Sequence, residues 1–167
     1  FGGLSFGFSF VALSGLVLYM AAHWAAAFGL SWALRRRLGW PLWVHLPIVW
    51  ATLELVRNYL LTGFPWADLG YTQARTARVA QLAALGGVYA IAALVVLVNA
   101  ALAEAIAARR EGRPLPRRAL GVAAALVLAT LAHGEARLRS VRARMAAAPH
   151  IRVGVVQPNV DQSVKNR

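Results

Sequence analysis

The amino-acid sequence predicts an α-helical polytopic membrane bundle of about four spans, followed by one β-strand that opens an otherwise absent α/β domain. Three observations carry this expectation. Of 167 residues, 59% are hydrophobic and only 14% are charged, where soluble domains carry about 25% charge. Long uncharged runs are stopped by arginine clusters. The far end changes to a short β-branched run. So much apolar surface excludes a disordered chain, because it collapses or partitions into lipid. Cysteine is absent, which removes disulfides, thiolate metal sites and a thiol nucleophile from these residues.

The first 34 residues contain no charged side chain. As one helix they would reach about 50 Å, more than the hydrocarbon thickness of about 30 Å. Gly2, Gly3, Ser5 and Gly7 are poor helix formers, so they read as a loop or helix entry and the first span as 11–34. Arg35, Arg36 and Arg37 stop it. Trp40, Pro41 and Trp43 suit an interfacial entry to a second span at 43–61, and Thr62-Gly63-Phe64-Pro65 breaks it. A third span, 79–103, is closed by Glu104, Arg109 and Arg110. The fourth, 119–134, is short for a crossing, so Arg117 and Arg137 must snorkel or the helix must extend.

The connection after span one holds three arginines, and that after span three holds Arg109, Arg110, Arg113, Arg117 and Arg118 against Glu111. The excess of basic residues on cytoplasmic loops places both in the cytoplasm. The second connection, and everything after span four, then lies outside. Arg137, Arg139, Arg142 and Arg144 argue weakly against this, but long translocated domains largely escape the rule. The formal charge of +12 is thereby assigned to topology and lipid head groups. No recognition helix or RNA-binding motif supports a nucleic-acid partner.

Ala146 to Pro149 reads as a small-residue hinge between a membrane domain, 1–145, and a second unit, 146–167. Ile151-Arg152-Val153-Gly154-Val155-Val156 reads as a strand buried on both faces, ended by Gln157-Pro158-Asn159. A lone strand satisfies neither its backbone nor its faces. With Phe1 at the start in place of Met, the expectation is an internal piece of a longer chain.

Glu54 and Arg57 lie in the second span at i, i+3 and share a face with Trp50 and Asn58. Ionisable groups in lipid are costly and are paired or functional. Two readings stand: a mutually satisfied pair locking helices together, or a polar site at the outer leaflet. The following segment, Thr62 to Gln73, is too rich in Gly and Pro for a helix and too apolar for an ordinary loop. Phe64, Trp66, Leu69 and Tyr71 suit the interface, either as a depth anchor or as a loop lining a lipid-tail entrance. His23 reads as a helix–helix hydrogen-bond partner rather than a metal ligand, and Asn99 as a bridge between helices. Ala22, Ala25, Ala26 and Gly29, like Gly86-Gly87, offer small-residue packing surfaces. The sequence shows no phosphate loop or metal-ligand cluster, and no spacing assigns triad roles to its Ser, His and Asp residues.

Glu54-x-x-Arg57, Thr62-Gly63-Phe64-Pro65-Trp66-x-x-x-Gly70-Tyr71-x-Gln73, Gly87-Val88-Tyr89 and Asn99 together resemble the membrane portion of apolipoprotein N-acyltransferases. Val155-Val156-Gln157-Pro158-Asn159-x-x-Gln162-Ser163-x-Lys165 resembles the opening strand and loop of that family's nitrilase-like domain. The resemblance implies a multi-pass protein of the bacterial inner membrane with an extracytoplasmic α/β domain. It implies a phospholipid acyl donor, a diacylated prolipoprotein acceptor and no cofactor or metal. It also implies a Cys nucleophile, a Glu base and a catalytic Lys, all expected after Arg167, so that this stretch alone is inactive. The family often has Trp where this chain has Asn166. Glu54, Arg57, Phe64, Pro65, Trp66, Tyr71 and Gln73 are the candidate substrate-binding residues. The alternative is a non-enzymatic transporter or scaffold segment, for which discontinuous helices around a midplane polar site would be expected.

Overall fold

Ser5 opens the first helix: its side chain accepts from the Phe8 N–H at 3.5 Å, and helix α1 runs Phe6–Leu38. The computed structural model describes residues 5–60, 63–149 and 152–157. The expected loop entry is therefore helical from Phe6, because one capping serine and an apolar environment outweigh the weak propensity of Gly7. With 33 residues, α1 is about 50 Å long. Its last turn carries Arg35, Arg36 and Arg37, which complement the negative end of the helix dipole. Gly39, at φ +66°, ends it with its N–H donating to the Arg35 carbonyl.

Helix α2, Leu42–Arg57, has 16 residues. At about 24 Å it falls short of a hydrocarbon core of about 30 Å, and it stops one turn before the expected end at 61. Arg57 and Asn58 turn their side chains to the next loop, and Asn58 becomes the C-terminal cap. Among the described residues, three helices are long and apolar enough to cross a membrane: α1, α4 and α5. The expected second span is thus a shorter helix packed between two of them.

After α2 the chain passes through Gly63–Asp68, a 3-10 turn at Leu69–Gln73 and a one-turn helix α3, Ala77–Ala80. Helix α4 is Ala83–Arg110. The third expected span begins at Val79, but Val79 belongs to α3, and turn residues Gln81 and Leu82 separate the two. Gly86-Gly87 is a kink rather than a packing seam. Gly87 sits at φ +64°, a conformation that costs any residue with a Cβ.

The polar bonds set the helix directions. The Leu42 N–H donates to Glu104 Oε1 at 2.7 Å, while Asn58 reaches Tyr89, so α2 and α4 are antiparallel. Met20 lies beside Arg57 and Trp24 beside Trp50, so α1 and α2 are antiparallel as well. Helix α5, Arg117–Ala147, returns along α4. Ala101, Ala119 and Ala123 form their contact, flanked by Trp43, Leu97, Val98 and Leu120. These small side chains let the backbones approach closely. Of the expected seam on α1, Ala26 is half-buried while Ala22, Ala25 and Gly29 are exposed; Ala27 and Ser31 are the buried positions. With 31 residues, α5 reaches about 46 Å, so the helix expected at 119–134 extends well beyond 134.

The basic connections after α1 and α4 meet at one end of the bundle, where Arg35, Trp40, Glu111 and Arg113 line a common groove. The loop after α2 and the Gly134 region of α5 share the opposite end, where Arg78 bonds Glu135 at 2.8 Å. Residues 152–157 have no regular secondary structure, and Val153, Val155 and Val156 are exposed. The expected strand is not formed there, because no partner strand exists among the described residues to pair with it. Ile151 and the motif residues from Pro158 to Lys165 lie outside the described residues, as does Thr62.

Candidate functional site

The site lies where the end of α2 meets its own loop. Spacing i, i+3 puts Glu54 and Arg57 on one face of α2, and that face meets the chain segment at Asp68–Leu69. The two residues are not paired with each other. Glu54 Oε1 accepts from Trp50 Nε1 at 2.9 Å and from the Leu69 N–H at 2.8 Å. Arg57 donates to Asp68 Oδ1 in a charge-assisted bond. Asn58 Nδ2 donates to Asp68 Oδ2 at 2.7 Å and to the Tyr89 hydroxyl at 2.8 Å. Of the two readings, the mutual pair is not formed: Asp68 and the Leu69 N–H bond Arg57 and Glu54 from the loop side.

Glu54 is 5% exposed, Arg57 4% and Asp68 1%, so the cluster is withdrawn from solvent and from lipid. Withdrawn charges need partners, and here one carboxylate receives both a guanidinium and an amide. Ala67 at φ +60° turns the backbone so that Asp68 points inward. The carbonyl of Arg57 accepts from Phe64 N–H at 3.2 Å. The Gly63–Leu69 segment is therefore tied to α2 at both ends. Gly70 continues the contact: a Cβ there would lie 2.3 Å from the Val88 carbonyl oxygen, so only glycine lets the loop rest on the kinked start of α4.

Between its ties the loop presents aromatic surface. Phe64 is half-buried, edge-on to Tyr19 with centroids 6.2 Å apart, and stacks at a tilt on Trp66 at 5.4 Å. Trp66 is 70% exposed, and Pro65 and Tyr71 are exposed beside it. Gln73 is half-buried, bonds Thr72 at 3.2 Å and faces a cleft between α4 and α5. The structure thus gathers Glu54, Arg57 and Phe64 into one unit, displays Pro65, Trp66 and Tyr71 on its outer side, and leaves Gln73 apart from the cluster.

Glu54 Oε2 and Arg57 Nε have no partner among the described residues, and both residues line a small cavity with His23, Trp24, Ala27 and Trp50. Trp24 and Trp50 are shared with a larger apolar cleft of about 450 Å³ between α1, α2 and α4, lined also by Phe28, Leu46, Val95 and Val96. His23 Nδ1 lies 2.9 Å from the Tyr19 carbonyl of its own helix, and Asn99 Nδ2 donates to Val95 of its own helix at 2.8 Å. Among the described residues, neither forms a hydrogen bond that bridges helices. No group of three or more His, Cys, Asp or Glu side chains is placed to hold a metal among the described residues.

Asp68, Asn58 and Tyr89 are the participants that sequence reasoning did not select as site residues. Asp68 was passed over within the segment Thr62 to Gln73. Its signal was available: a single carboxylate in an apolar, aromatic segment eleven positions after an intrahelical arginine must find a cation or remain in water.

The comparisons with known proteins bear on this arrangement. The family model described as the apolipoprotein N-acyltransferase N-terminal domain matches residues 1–101. The chain belongs to this family. The matched stretch holds α1, α2, the aromatic loop and most of α4, and so every residue of the cluster. An apolipoprotein N-acyltransferase of Geobacter metallireducens is 37% identical, covering 99% of this chain and 31% of the relative. Those of Chromobacterium violaceum and Shewanella oneidensis are 35% and 31% identical over 90% and 99% of this chain. The chain spans about a third of the length of these relatives. No solved structure matches it.

Proposed function

We propose that this chain is the membrane-embedded part of a bacterial apolipoprotein N-acyltransferase, the part that brings lipid to a catalytic domain which follows in the full-length protein. The family match over residues 1–101 carries this reading. The full-length enzyme transfers an acyl chain from a phospholipid to the terminal amine of a diacylglyceryl-cysteine lipoprotein. A Glu takes the proton of the Cys thiol, the thiolate attacks the phospholipid ester, the Glu returns the proton to the departing lysophospholipid oxygen, and a thioester remains. The lipoprotein amine then attacks the thioester, loses a proton to a Glu base and expels the thiolate. A Lys stabilises the oxyanion in each step. These groups belong to the nitrilase-like domain whose first strand is Ile151–Val156, and that strand forms when its partners are present.

Within this chain the cluster of Glu54, Arg57 and Asp68 holds the loop, and Phe64, Pro65, Trp66 and Tyr71 meet the substrate lipid. Trp66 is exposed and tied down through its neighbours, which suits a group that touches a ligand rather than the core. The protein sits in the cell inner membrane with this loop and the catalytic domain on the extracytoplasmic side. A transporter is less well supported: the break in α4 lies one turn from its start, at an end of the bundle rather than at a midplane site.

The test uses the full-length protein, a phospholipid donor and a diacylated lipopeptide, with acyl transfer read by the mass gain of the peptide. Trp66→Ala is expected to lower turnover at least tenfold while membrane insertion and thermal midpoint stay unchanged. Unchanged turnover would return Trp66 to a depth anchor. Absence of transfer by the wild-type protein would remove the enzyme reading.

A further inference from the structure

The basic end of the bundle contains a feature that acyl transfer does not use. The end of α1, the start of α2, the end of α4 and the connection to α5 enclose a groove of about 540 Å³. Arg35, Trp40, Glu104, Glu111 and Arg113 supply its polar and aromatic lining, and Ala103, Ala107 and Ala108 its apolar wall. Each carboxylate has one oxygen engaged among the described residues. Glu104 Oε1 caps the Leu42 N–H at 2.7 Å, and Glu111 Oε2 accepts from Arg113 Nε at 2.7 Å. Arg113 holds the Glu111 carboxyl below the usual carboxylate range, and Arg35 adds to the effect; Glu104 in turn acts on Arg113. Arg113 keeps its two terminal nitrogens for another acceptor. Arg35 has no ion-pair partner among the described residues. The first turn of α5 has no side-chain cap.

We propose that this groove binds the headgroup of one anionic phospholipid, with its phosphate between Arg35 and Arg113. Three membrane-length helices end here, so a lipid headgroup is at the right depth. The alanine wall and Trp40 accommodate the glycerol and the first methylenes, while arginine supplies planar donors for phosphate. Free phosphate gains nothing from the apolar wall and remains hydrated. Basic pockets between membrane helices commonly take such headgroups. A charge bias that serves orientation alone has no need of particular arginines; this groove depends on two, one from the last turn of α1 and one from the connection before α5. The proposal rests on the membrane placement of the helices and not on acyl transfer.

The experiment uses the delipidated full-length protein in detergent, titrated with dioctanoyl phosphatidylglycerol, dioctanoyl phosphatidylcholine or inorganic phosphate. Thermal midpoint and native mass spectrometry are the readouts. One phosphatidylglycerol more than phosphatidylcholine is expected to be retained, with a midpoint rise that exceeds the one phosphatidylcholine gives through the donor site; inorganic phosphate leaves the midpoint unchanged. The double variant Arg35→Gln/Arg113→Gln weakens the apparent affinity about tenfold, as expected for lost charge-assisted bonds. Arg35→Gln alone, which leaves the Arg113–Glu111 pair intact, weakens it about threefold on the same grounds. Arg37→Gln/Arg110→Gln removes the same charge outside the groove and leaves affinity within about twofold, since exposed charges act diffusely. Equal losses in the two double variants, or an equal response to phosphatidylcholine or to phosphate, would overturn the proposal.

Discussion

Removing the Asp68 carboxylate tests the cluster most directly. In Asp68→Ala, Arg57 stays 96% withdrawn from solvent on its 4% exposure but loses its carboxylate, and Asn58 loses one of its two acceptors. Breaking a buried pair by deleting one partner costs about 3–5 kcal/mol, because a charge is left uncompensated. The loss of the Asn58 bond adds about 1 kcal/mol. The expected destabilisation of the full-length protein in detergent micelles is therefore about 4–6 kcal/mol. Adding Arg57→Met removes the stranded charge and fills its space with an apolar chain, so the double variant recovers about 2–4 kcal/mol of that loss. The assay is reversible denaturant unfolding of wild type, both single variants and the double variant, analysed as a cycle. A loss below about 1 kcal/mol for Asp68→Ala, the size of an exposed pair, would refute the burial argument. So would strict additivity in the cycle, which would show that Arg57 and Asp68 do not depend on each other.

Two further substitutions probe the contacts that place the loop and the helix pair. Gly70→Ala puts a Cβ 2.3 Å from the Val88 carbonyl oxygen, so loop and α4 must separate; a loss of about 1–3 kcal/mol and faster protease cleavage within residues 63–73 are expected, and wild-type cleavage would contradict the contact. Glu104→Ala removes the acceptor of the Leu42 N–H and should cost about 1–2 kcal/mol, read as a lower midpoint with the Gly63–Leu69 loop still protected, since that loop lies at the other end of α2.

The sequence made the membrane class and most helix centres legible. Absence of charge from 1–34 and from 79–103, with arginines at their ends, is a statement about transfer free energy that needs no tertiary information. The aromatic segment around Trp66 stood out for the same reason, since its composition fits neither a helix nor an ordinary water-exposed loop. The helix ends were less legible. Ser5 capping advanced α1, the turn at Gln81-Leu82 delayed α4, and α5 ran on through its arginines because polar residues beyond the apolar run are still good helix formers. Within the candidate site, Glu54 and Arg57 were visible as charges in an apolar helix, and their common face followed from spacing.

Their partners did not follow from spacing. Hydropathy and periodicity are local properties, so residues 1–167 by themselves determined that the chain is built of membrane-length helices, which side chains were too polar for their surroundings, and which family they resemble. Only the tertiary structure decided that Arg57 bonds Asp68, that Glu54 holds the Leu69 N–H, and that Asn58 links the loop to Tyr89 on α4. The same holds for the two basic connections converging on one groove. A buried charge must be compensated, but which group compensates it depends on where the backbone brings distant residues, and that is settled by packing.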